Sequence, residues 1–303
     1  MEFVKLGATF MKLGNRRKWI GYTFVLPAFF FMVVFILYPL IESLVLSFYD
    51  WTGISAKTFV GFENFRYLLK DRVFWLALKN NLTFTVLSTA GTVILGFFLA
   101  IAIERRIRGW WFYKVVYFLP VMVSMTVVGL LWGRLLDPTL GPVNFILKKL
   151  GVDSPPFWLG DPRTSLLSII GVSIWQYAGF PMIILLAAME NVPLEIHDAA
   201  TIDGVSEWQR IWYVIFPLIK PVFLMITVLQ IIFSFKVFDI VWAMTQGGPG
   251  DSSIVLGVYL YKAAFRYTRF GYGAAIAVAM FLIIFPLSLL YIRLTRLEEA
   301  VGE

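Results

Sequence analysis

The stretch that decides the fold is ENVPLEIHDAATIDGVSEWQRIWYVIFPLIKP, residues Glu190 to Pro221, the only long polar segment between two apolar runs of membrane length. Pro193 stands where a proline starts a helix, and Gly204 stands where a helix ends. Ser206 followed by Gln209 is the capping-box pattern that starts a second helix. The stretch therefore predicts two short helices joined at an angle, an arrangement called the elbow below.

The elbow has the composition of a docking surface. Ala199 and Ala200 have almost no side-chain volume, so another surface can approach the helix backbone closely. Glu195, Asp198 and Asp203 add carboxylates that pair with basic groups. We therefore predict that the elbow docks onto another protein, and the alternative is an amphipathic helix that lies on the lipid surface.

The composition is that of an integral membrane protein. Of the 303 residues, 59% are hydrophobic and only 15% are charged, whereas about a quarter of the residues in soluble domains are charged. The net charge of +7 comes from basic residues scattered over loop ends, and no recognition motif accompanies them, which argues against a nucleic-acid partner. The sequence has no cysteine and one histidine, His197, so neither a disulfide framework nor a cysteine- or histidine-bound metal site is expected.

Six apolar runs long enough to cross a bilayer predict an all-α polytopic protein with six transmembrane spans. The predicted spans cover residues 19–48, 82–103, 115–136, 166–189, 214–238 and 274–294. On the side of the termini lie a leader at 1–18, a basic loop at 104–114, the elbow at 190–213 and a tail at 295–303. The opposite connections cover 49–81, 137–165 and 239–273, and residues 75–294 are expected to form the transport core as a single transmembrane domain.

The orientation of the chain is predicted from its basic residues, which normally mark the cytoplasmic side. Six spans place both termini on one side, and the basic residues divide evenly between the two sides. The connections beside the termini are the shorter ones and hold the denser clusters, at Arg16 to Lys18 and at Arg105 to Lys114. We therefore predict that both termini and the elbow face the cytoplasm.

No segment fits an enzyme active site. The sequence has no Gly-x-x-x-x-Gly-Lys-[Ser/Thr] motif to hold ATP phosphates, and its single histidine lies in the elbow, which leaves a Ser-His-Asp triad unsupported. The deep parts of the spans carry amides and hydroxyls, namely Gln176, Gln230 and Ser234. These groups are either hydrogen-bonding contacts between helices or the lining of a solute path, and the residues alone favour neither interpretation.

Two other classes of membrane protein are weighed against these residues. An ion-coupled secondary transporter of a small polar solute would need intramembrane ionisable residues, whereas the deep parts of the spans show amides and hydroxyls instead of carboxylates. A polytopic enzyme acting on lipid is disfavoured because the spans hold no paired acid and base.

The order Asp198-Ala199-Ala200, then Gly204, then Val214-Ile215-Phe216-Pro217 resembles the signature loop of ABC-importer permeases, which reads Glu-Ala-Ala, Gly and Ile-x-Leu-Pro. The spacing is kept in full. Asp198 replaces the usual Glu and Phe216 the usual Leu, and neither changes the chemical type. In that family the loop is the coupling helix, which fits a cleft on a separate ATPase subunit. The resemblance implies this role for Glu195, Asp198, Ala199, Ala200, Asp203, Gly204 and Pro217.

The resemblance extends from about Trp19 to Leu294 and narrows to the sugar-permease branch, of the maltose-permease and glycerol-phosphate-permease type. The segments that carry it are Phe59 to Phe65, Phe118 to Pro120, Gly179 to Pro181, Phe238-Asp239 and Gly247 to Pro249. In relatives the sugar is handled near the Gly-Phe-Pro of the fourth span and the outer half of the fifth. By position this implies a substrate path at Trp175, Gln176, Gly179, Phe233, Ser234 and Val237, although Val237 lacks the hydrogen-bonding group that some relatives have.

The resemblance implies a type I ABC importer permease fold that forms one half of a translocation pore in the plasma or inner membrane of a prokaryote. The implied partners are a second permease subunit, a cytoplasmic ATPase dimer that holds ATP and Mg, an extracytoplasmic solute-binding protein and a sugar. The chain itself is expected to hold no cofactor and to catalyse no reaction. Closure of the ATPase dimer is expected to move the elbow and open the pore outward by rigid-body rocking.

Overall fold

The described chain consists mainly of helices long enough to cross a membrane. The structure is a computed structural model that describes residues 23–105 and 108–301, with side chains up to residue 293. Five helices are long and apolar enough to span, and a helix pair bent by 98° makes a sixth span when it is counted as one. The predicted leader at 1–18 and residues 19–22, 106–107 and 302–303 lie outside this description.

The spans are numbered here in chain order. They are Thr23–Leu46, Arg72–Glu104, the pair Trp110–Met122 with Met125–Leu135, Ser165–Glu190, Glu207–Phe235 and Phe270–Arg293. The helix of the sixth span continues to Val301. Short helices between the spans are Glu63–Lys70, Pro142–Lys149, Leu194–Ile202, Asp239–Met244 and Leu256–Tyr261. After the first span, the strands Tyr49–Asp50 and Thr58–Phe59 pair in antiparallel fashion.

Some helices extend beyond the apolar runs that predicted them. The second span begins at Arg72 instead of residue 82, because the Asp71 carboxylate accepts a hydrogen bond from the Val73 amide and caps the helix. The fifth span begins at Glu207 instead of residue 214, so the predicted second helix of the elbow is the first part of this span. The sixth span begins at Phe270 instead of residue 274.

The third span, predicted as one helix over 115–136, is broken. Its first part ends in a tight 3-10 turn at Leu119–Met122, where Pro120 lacks the amide hydrogen that a continuous helix needs. Such a break frees backbone carbonyls, which need a hydrogen-bond partner at membrane depth. Gln176 of the fourth span supplies one, since its Nε2 donates to the Val123 carbonyl at 2.9 Å.

Two neighbouring asparagines fix the second span to the far end of the fifth. Asn81 is fully buried; it donates to the Phe235 carbonyl at 3.0 Å and accepts from the Leu256 amide at 3.2 Å. Asn80 donates to two carbonyls of the segment 252–254, both at 3.0 Å. Buried polar groups with hydrogen-bond partners on other segments hold one arrangement of helices in preference to others.

Buried apolar side chains form two clusters that share no residue among those described. The distal cluster, far from the elbow, surrounds Phe84, Ile169 and Phe235. The elbow cluster surrounds Leu185 and Ile211. Between them, the second, fourth and fifth spans carry a layer of buried polar residues, called the polar layer below: Thr85, Ser88, Thr89, Thr92, Ser173, Gln176 and Gln230.

Candidate functional site

A cavity of about 270 Å³ lies within the polar layer. Small-molecule sites begin at about 300 Å³, so the cavity lies just below that range. Ser88, Ser173, Gln230 and Ser234 line it from the second, fourth and fifth spans. The Ser88 and Ser173 hydroxyl oxygens are 3.2 Å apart, and Thr89 donates to the Ser234 hydroxyl at 3.4 Å. The wall thus offers hydroxyl and amide groups that both donate and accept hydrogen bonds.

Aromatic and charged side chains complete the wall. Phe84 and Tyr177 line the cavity from the second and fourth spans. Lys236 and Asp239 follow the end of the fifth span, and both belong to the lining although each is exposed. The Lys236 ammonium lies 5.8 Å from the centre of the Phe233 ring. Aromatic faces beside hydrogen-bonding groups suit a small polar solute that also presents apolar C–H surfaces.

Three of the predicted path residues lie together in this wall, because they are close in sequence at the end of the fifth span. Phe233, Ser234 and Val237 all line the cavity. They occupy the last turn of the fifth span and the residues after it, where the helix ends at Phe235. The Val237 side chain is buried, with 5% of its surface exposed, and it contributes apolar surface alone.

The other three predicted path residues lie outside the lining. Trp175 is 44% exposed and packs edge-on against Trp132, with ring centres 5.4 Å apart. The Gln176 amide supports the break in the third span, as described above. A Cβ atom added to Gly179 would lie 2.2 Å from the Tyr117 carbonyl oxygen, so this glycine allows the third and fourth spans to touch.

Sequence analysis assigned no role to several residues of the cavity wall, among them Ser88, Ser173, Lys236 and Asp239. A signal for the serine of the second span was present. Thr85, Ser88, Thr89 and Thr92 recur at i, i+3, i+4 and i+7, which marks one polar face on an apolar helix. The charged pair gave no comparable signal, because its place in the wall depends on the chain turning back after residue 235.

The elbow helix runs over Leu194–Ile202 between two defined turns. Pro193 is the N-cap instead of the first helical residue, and Gly204 has φ of +70°. Ser206 and Gln209 form the predicted capping box: the Gln209 side chain accepts from the Ser206 amide at 2.8 Å, and the Gln209 amide donates back to the Ser206 hydroxyl at 3.4 Å. The local turns therefore fix the entry and exit of this helix.

The elbow helix presents a mixed acidic and apolar surface. The predicted docking residues that are exposed on it or beside it are Glu195, Asp198, Ala199, Asp203 and Gly204. Exposed apolar side chains, not foreseen from the sequence, accompany them at Leu194, Ile202 and Trp208, with exposed fractions of 75%, 85% and 55%. Apolar side chains exposed together in this way mark an interaction surface.

Two residues of the predicted docking set lie elsewhere. Ala200 is 6% exposed and packs inward, which corrects the expectation that both alanines face a partner. Helical spacing explains this, because Ala200 follows Ile196 by four residues and Ile196 packs on the elbow cluster. Pro217 lies in the fifth span beyond the elbow helix, where it is exposed.

Within the described residues, no three His, Asp or Glu side chains gather closely enough to bind a metal ion. The candidate site consists of the polar cavity between the spans and the mixed acidic and apolar surface of the elbow helix.

Comparison with known proteins identifies the family to which the chain belongs. The family model described as "Binding-protein-dependent transport system inner membrane component" matches residues 92–298. The probable ABC transporter permease protein YurN of Bacillus subtilis is 36% identical over 92% of this chain and 97% of its own length. The lactose transport system permease protein LacF of Rhizobium radiobacter is 34% identical over 89% of this chain and 92% of its own length.

The fold also matches a solved structure. In the crystal structure of a bacterial alginate ABC transporter in complex with alginate pentasaccharide-bound periplasmic protein, one chain superposes with a TM-score of 0.82 at 24% identity, covering 93% of this chain and 95% of that one. This likeness confirms the predicted permease fold. The chain therefore belongs to the family of binding-protein-dependent transport system inner membrane components, and it is a multi-pass permease component of an ABC importer.

Proposed function

We propose that this permease imports a sugar. The observation that carries the proposal is the cavity in the polar layer, which brings hydroxyl groups, an amide and aromatic rings together between three spans. Sugars present hydroxyl groups at their edges and C–H groups on their faces, so this wall matches both kinds of surface. Relatives named for lactose and alginate transport support a carbohydrate solute.

The elbow is the surface that suits a separate ATPase. Its exposed Leu194, Ile202 and Trp208 give an apolar contact area, and Glu195 and Asp198 place carboxylates beside it. An apolar centre with a charged rim is the usual anatomy of a protein interface. Because the sequence holds no phosphate-binding loop, ATP and Mg belong to the ATPase dimer.

The importer also needs a second permease subunit and a solute-binding protein. A second permease subunit supplies the other half of the pore, and an extracytoplasmic solute-binding protein delivers the sugar at the end far from the elbow. Both termini and the elbow face the cytoplasm of a prokaryotic cell, where ATP is available. Movement of the docked elbow rocks the spans and exposes the cavity alternately to the two sides.

The test of this function is uptake into proteoliposomes that contain the whole importer. We expect the uptake of one or a few sugars from a panel, and only with ATP, Mg and the solute-binding protein present. Uptake driven by an ion gradient without the ATPase would favour the ion-coupled alternative, against which the family membership argues. Uptake of amino acids but of no sugar would overturn the proposed solute class.

Ser234 offers the sharpest test of the cavity. We expect Ser234→Ala to raise the sugar concentration for half-maximal uptake about tenfold, because a polar group of the sugar then lacks its partner. Ser288→Ala is the matched control, since the Ser288 hydroxyl donates to the Ile284 carbonyl of its own helix. Pull-down of the ATPase and the second permease checks that both variants assemble. Equal uptake by the two variants would remove Ser234 from the path.

A further inference from the structure

Arg210 lies where the second span, the elbow helix and the fifth span meet. Its guanidinium donates to both carboxylate oxygens of Glu104, at 3.2 and 3.1 Å, and to Glu207 at 3.1 Å. The same group lies 2.7 Å from Nδ1 of His197 on the elbow helix. The side chains of Arg210 and Glu104 are only 13% and 15% exposed. One guanidinium thus contacts all three elements.

The chemistry of arginine makes this contact directional. A guanidinium only donates, so Nδ1 of His197 must accept and its proton must reside on Nε2. The two parallel bonds to Glu104 fix the plane of the guanidinium, which a single-point cation would not do. The exposed Arg105 lies 4.0 Å from Glu207 and adds little, because water screens such pairs.

The network is poorly explained by stability alone. Apolar side chains of similar volume often stabilise a fold as well as a buried ion pair does. Among the described residues, Arg210 Nε is moreover buried without a partner, and such a group costs free energy. A network that costs stability but fixes the direction of its contacts is suited to passing the movement of one helix to another.

We propose that Arg210 is a positioning residue that makes the elbow helix and the second span move as one unit, an inference that rests on the proposed function. The elbow helix is also held by the apolar packing of Ile196 and the buried Ala200, which is non-directional. Without Arg210, a push on the elbow helix is absorbed by bending at Gly204. With it, the push passes through Glu104 to the helix that carries Ser88 into the cavity wall.

Transport per ATP is the first measurement. In the reconstituted importer, Arg210→Lys keeps the charge and removes the two-pronged geometry. We expect the amount of sugar moved per ATP hydrolysed to fall about tenfold, the effect of losing one charge-assisted hydrogen bond. Glu104→Gln should give the same loss, and the double variant should lose no more than either single one. Arg66→Lys is the control, because its bond to Glu63 joins two exposed side chains.

The distance between the two elements is the second measurement, and it needs no transport. The sequence has no cysteine, so with partner subunits made free of cysteine, spin labels at Ala102→Cys and Thr201→Cys report this chain alone. Both positions are exposed, and neither belongs to the proposed docking surface. We expect one narrow distance distribution in the otherwise unchanged complex and a clearly broader one when Arg210→Lys is added. The Arg66→Lys control should leave it narrow.

The outcomes separate this inference from the function on which it rests. Unchanged transport per ATP together with an unchanged distance distribution in Arg210→Lys and Glu104→Gln would overturn the inference. Should the unsubstituted importer move no sugar, the proposed function fails, and the spin-label distances still decide whether Arg210 joins the two elements. If Arg210→Lys does not assemble, Glu104→Gln carries both measurements.

Discussion

Gly179 is the residue at which one missing methyl group decides the packing of two spans. An alanine there would bring its Cβ to 2.2 Å from the Tyr117 carbonyl oxygen, and backbone atoms cannot move aside as a flexible side chain can. We expect Gly179→Ala to destabilise the protein by about 1–3 kcal/mol. Gly171→Ala in the same span is the control, because no atom lies within 4 Å of its added Cβ.

These two variants are compared by thermal unfolding in detergent. Alanine exceeds glycine in helix propensity by about 1 kcal/mol, so Gly171→Ala should match or exceed the unsubstituted protein. Equal unfolding midpoints for both variants would show that the third and fourth spans separate easily. In that case the packing argument for Gly179 would fail, and its implied place in the substrate path would be the remaining explanation for a glycine there.

Asp71 ties the start of the second span to the end of the molecule far from the elbow. Burial by itself raises the pKa of the Asp71 carboxyl. Hydrogen bonds from the Tyr259 and Tyr272 hydroxyls and from the Val73 amide lower the pKa by more than burial raises it, so it lies below the ordinary value of 3.8. A carboxyl whose pKa is lower in the folded protein than in the unfolded protein stabilises the fold at pH values above its unfolded pKa. This stabilisation is lost as the pH falls through the pKa of the folded protein.

The corresponding variant is Asp71→Asn. We expect its unfolding temperature at neutral pH to be a few degrees lower than that of the unsubstituted protein, because asparagine has no carboxylate to accept these hydrogen bonds. The difference between the two proteins should shrink as the pH falls below 3.8, the ordinary value for this carboxyl. A constant difference from neutral to acid pH would show that the carboxylate charge plays no part.

Individual residues were predictable from sequence where their partners are local. The capping box of Ser206 and Gln209 depends on residues three apart, and the structure contains it. The role of Gln176 remained open because its partner, the Val123 carbonyl, is freed only by a break in another span. The inward position of Ala200 likewise depends on packing that helical periodicity suggests but does not fix.

At the scale of elements, Gly204 sets the angle between the elbow helix and the fifth span. Its φ of +70° is unfavourable for residues with a Cβ, and no atom lies within 4 Å of the place a Cβ would occupy. Substitutions there consequently test backbone conformation without a clash. We expect Gly204→Val to weaken ATPase binding or its sugar-stimulated hydrolysis about tenfold, by a cost of about 1–2 kcal/mol in the left-handed region.

Gly204→Asn is the matched variant, because asparagine tolerates positive φ better than other residues do. It should retain most of the ATPase activity that Gly204→Val loses. Both changes leave the membrane spans untouched, so insertion of the permease serves as the control measurement. Normal ATPase binding and normal stimulated turnover in Gly204→Val would show that the elbow angle does not matter for coupling.

Apolar runs predicted the number of spans better than their ends. Hydropathy marks the lipid-facing length, whereas the helix of the second span begins where Asp71 caps it. The break in the third span was missed because its two parts together have the length of one span, and Pro120 alone does not distinguish a kink from a 98° turn. Element ends thus depend on caps and on neighbouring helices.

At the scale of the whole molecule, the orientation in the membrane is open to direct measurement. Ile54 and Ile202 are 98% and 85% exposed, and the sequence contains no cysteine. A membrane-impermeant maleimide should label Ile54→Cys in intact spheroplasts and Ile202→Cys only after permeabilisation. Expression without the ATPase keeps residue 202 free. Labelling of Ile202→Cys in intact spheroplasts would reverse the proposed orientation.

Whole-chain properties also show where sequence reasoning stops. Composition and six apolar runs were sufficient for a polytopic helical protein, and the spacing around Gly204 was sufficient for the family. The cavity was predicted only in part, because it forms where four spans and the segment after the fifth span meet. Ser88 and Asp239 are far apart in sequence, and only the packing places both in one wall.

The separation of the distal cluster from the elbow cluster has a consequence for how such chains diverge. No apolar side chain among those described belongs to both clusters, so a substitution in one needs no compensating change in the other. Under the proposed function, descendants of an ancestral chain are thus free to remodel the end proposed to receive cargo while the end proposed to meet the motor stays constant. A hybrid of two relatives, joined across the polar layer, should inherit the cargo of one and the motor of the other.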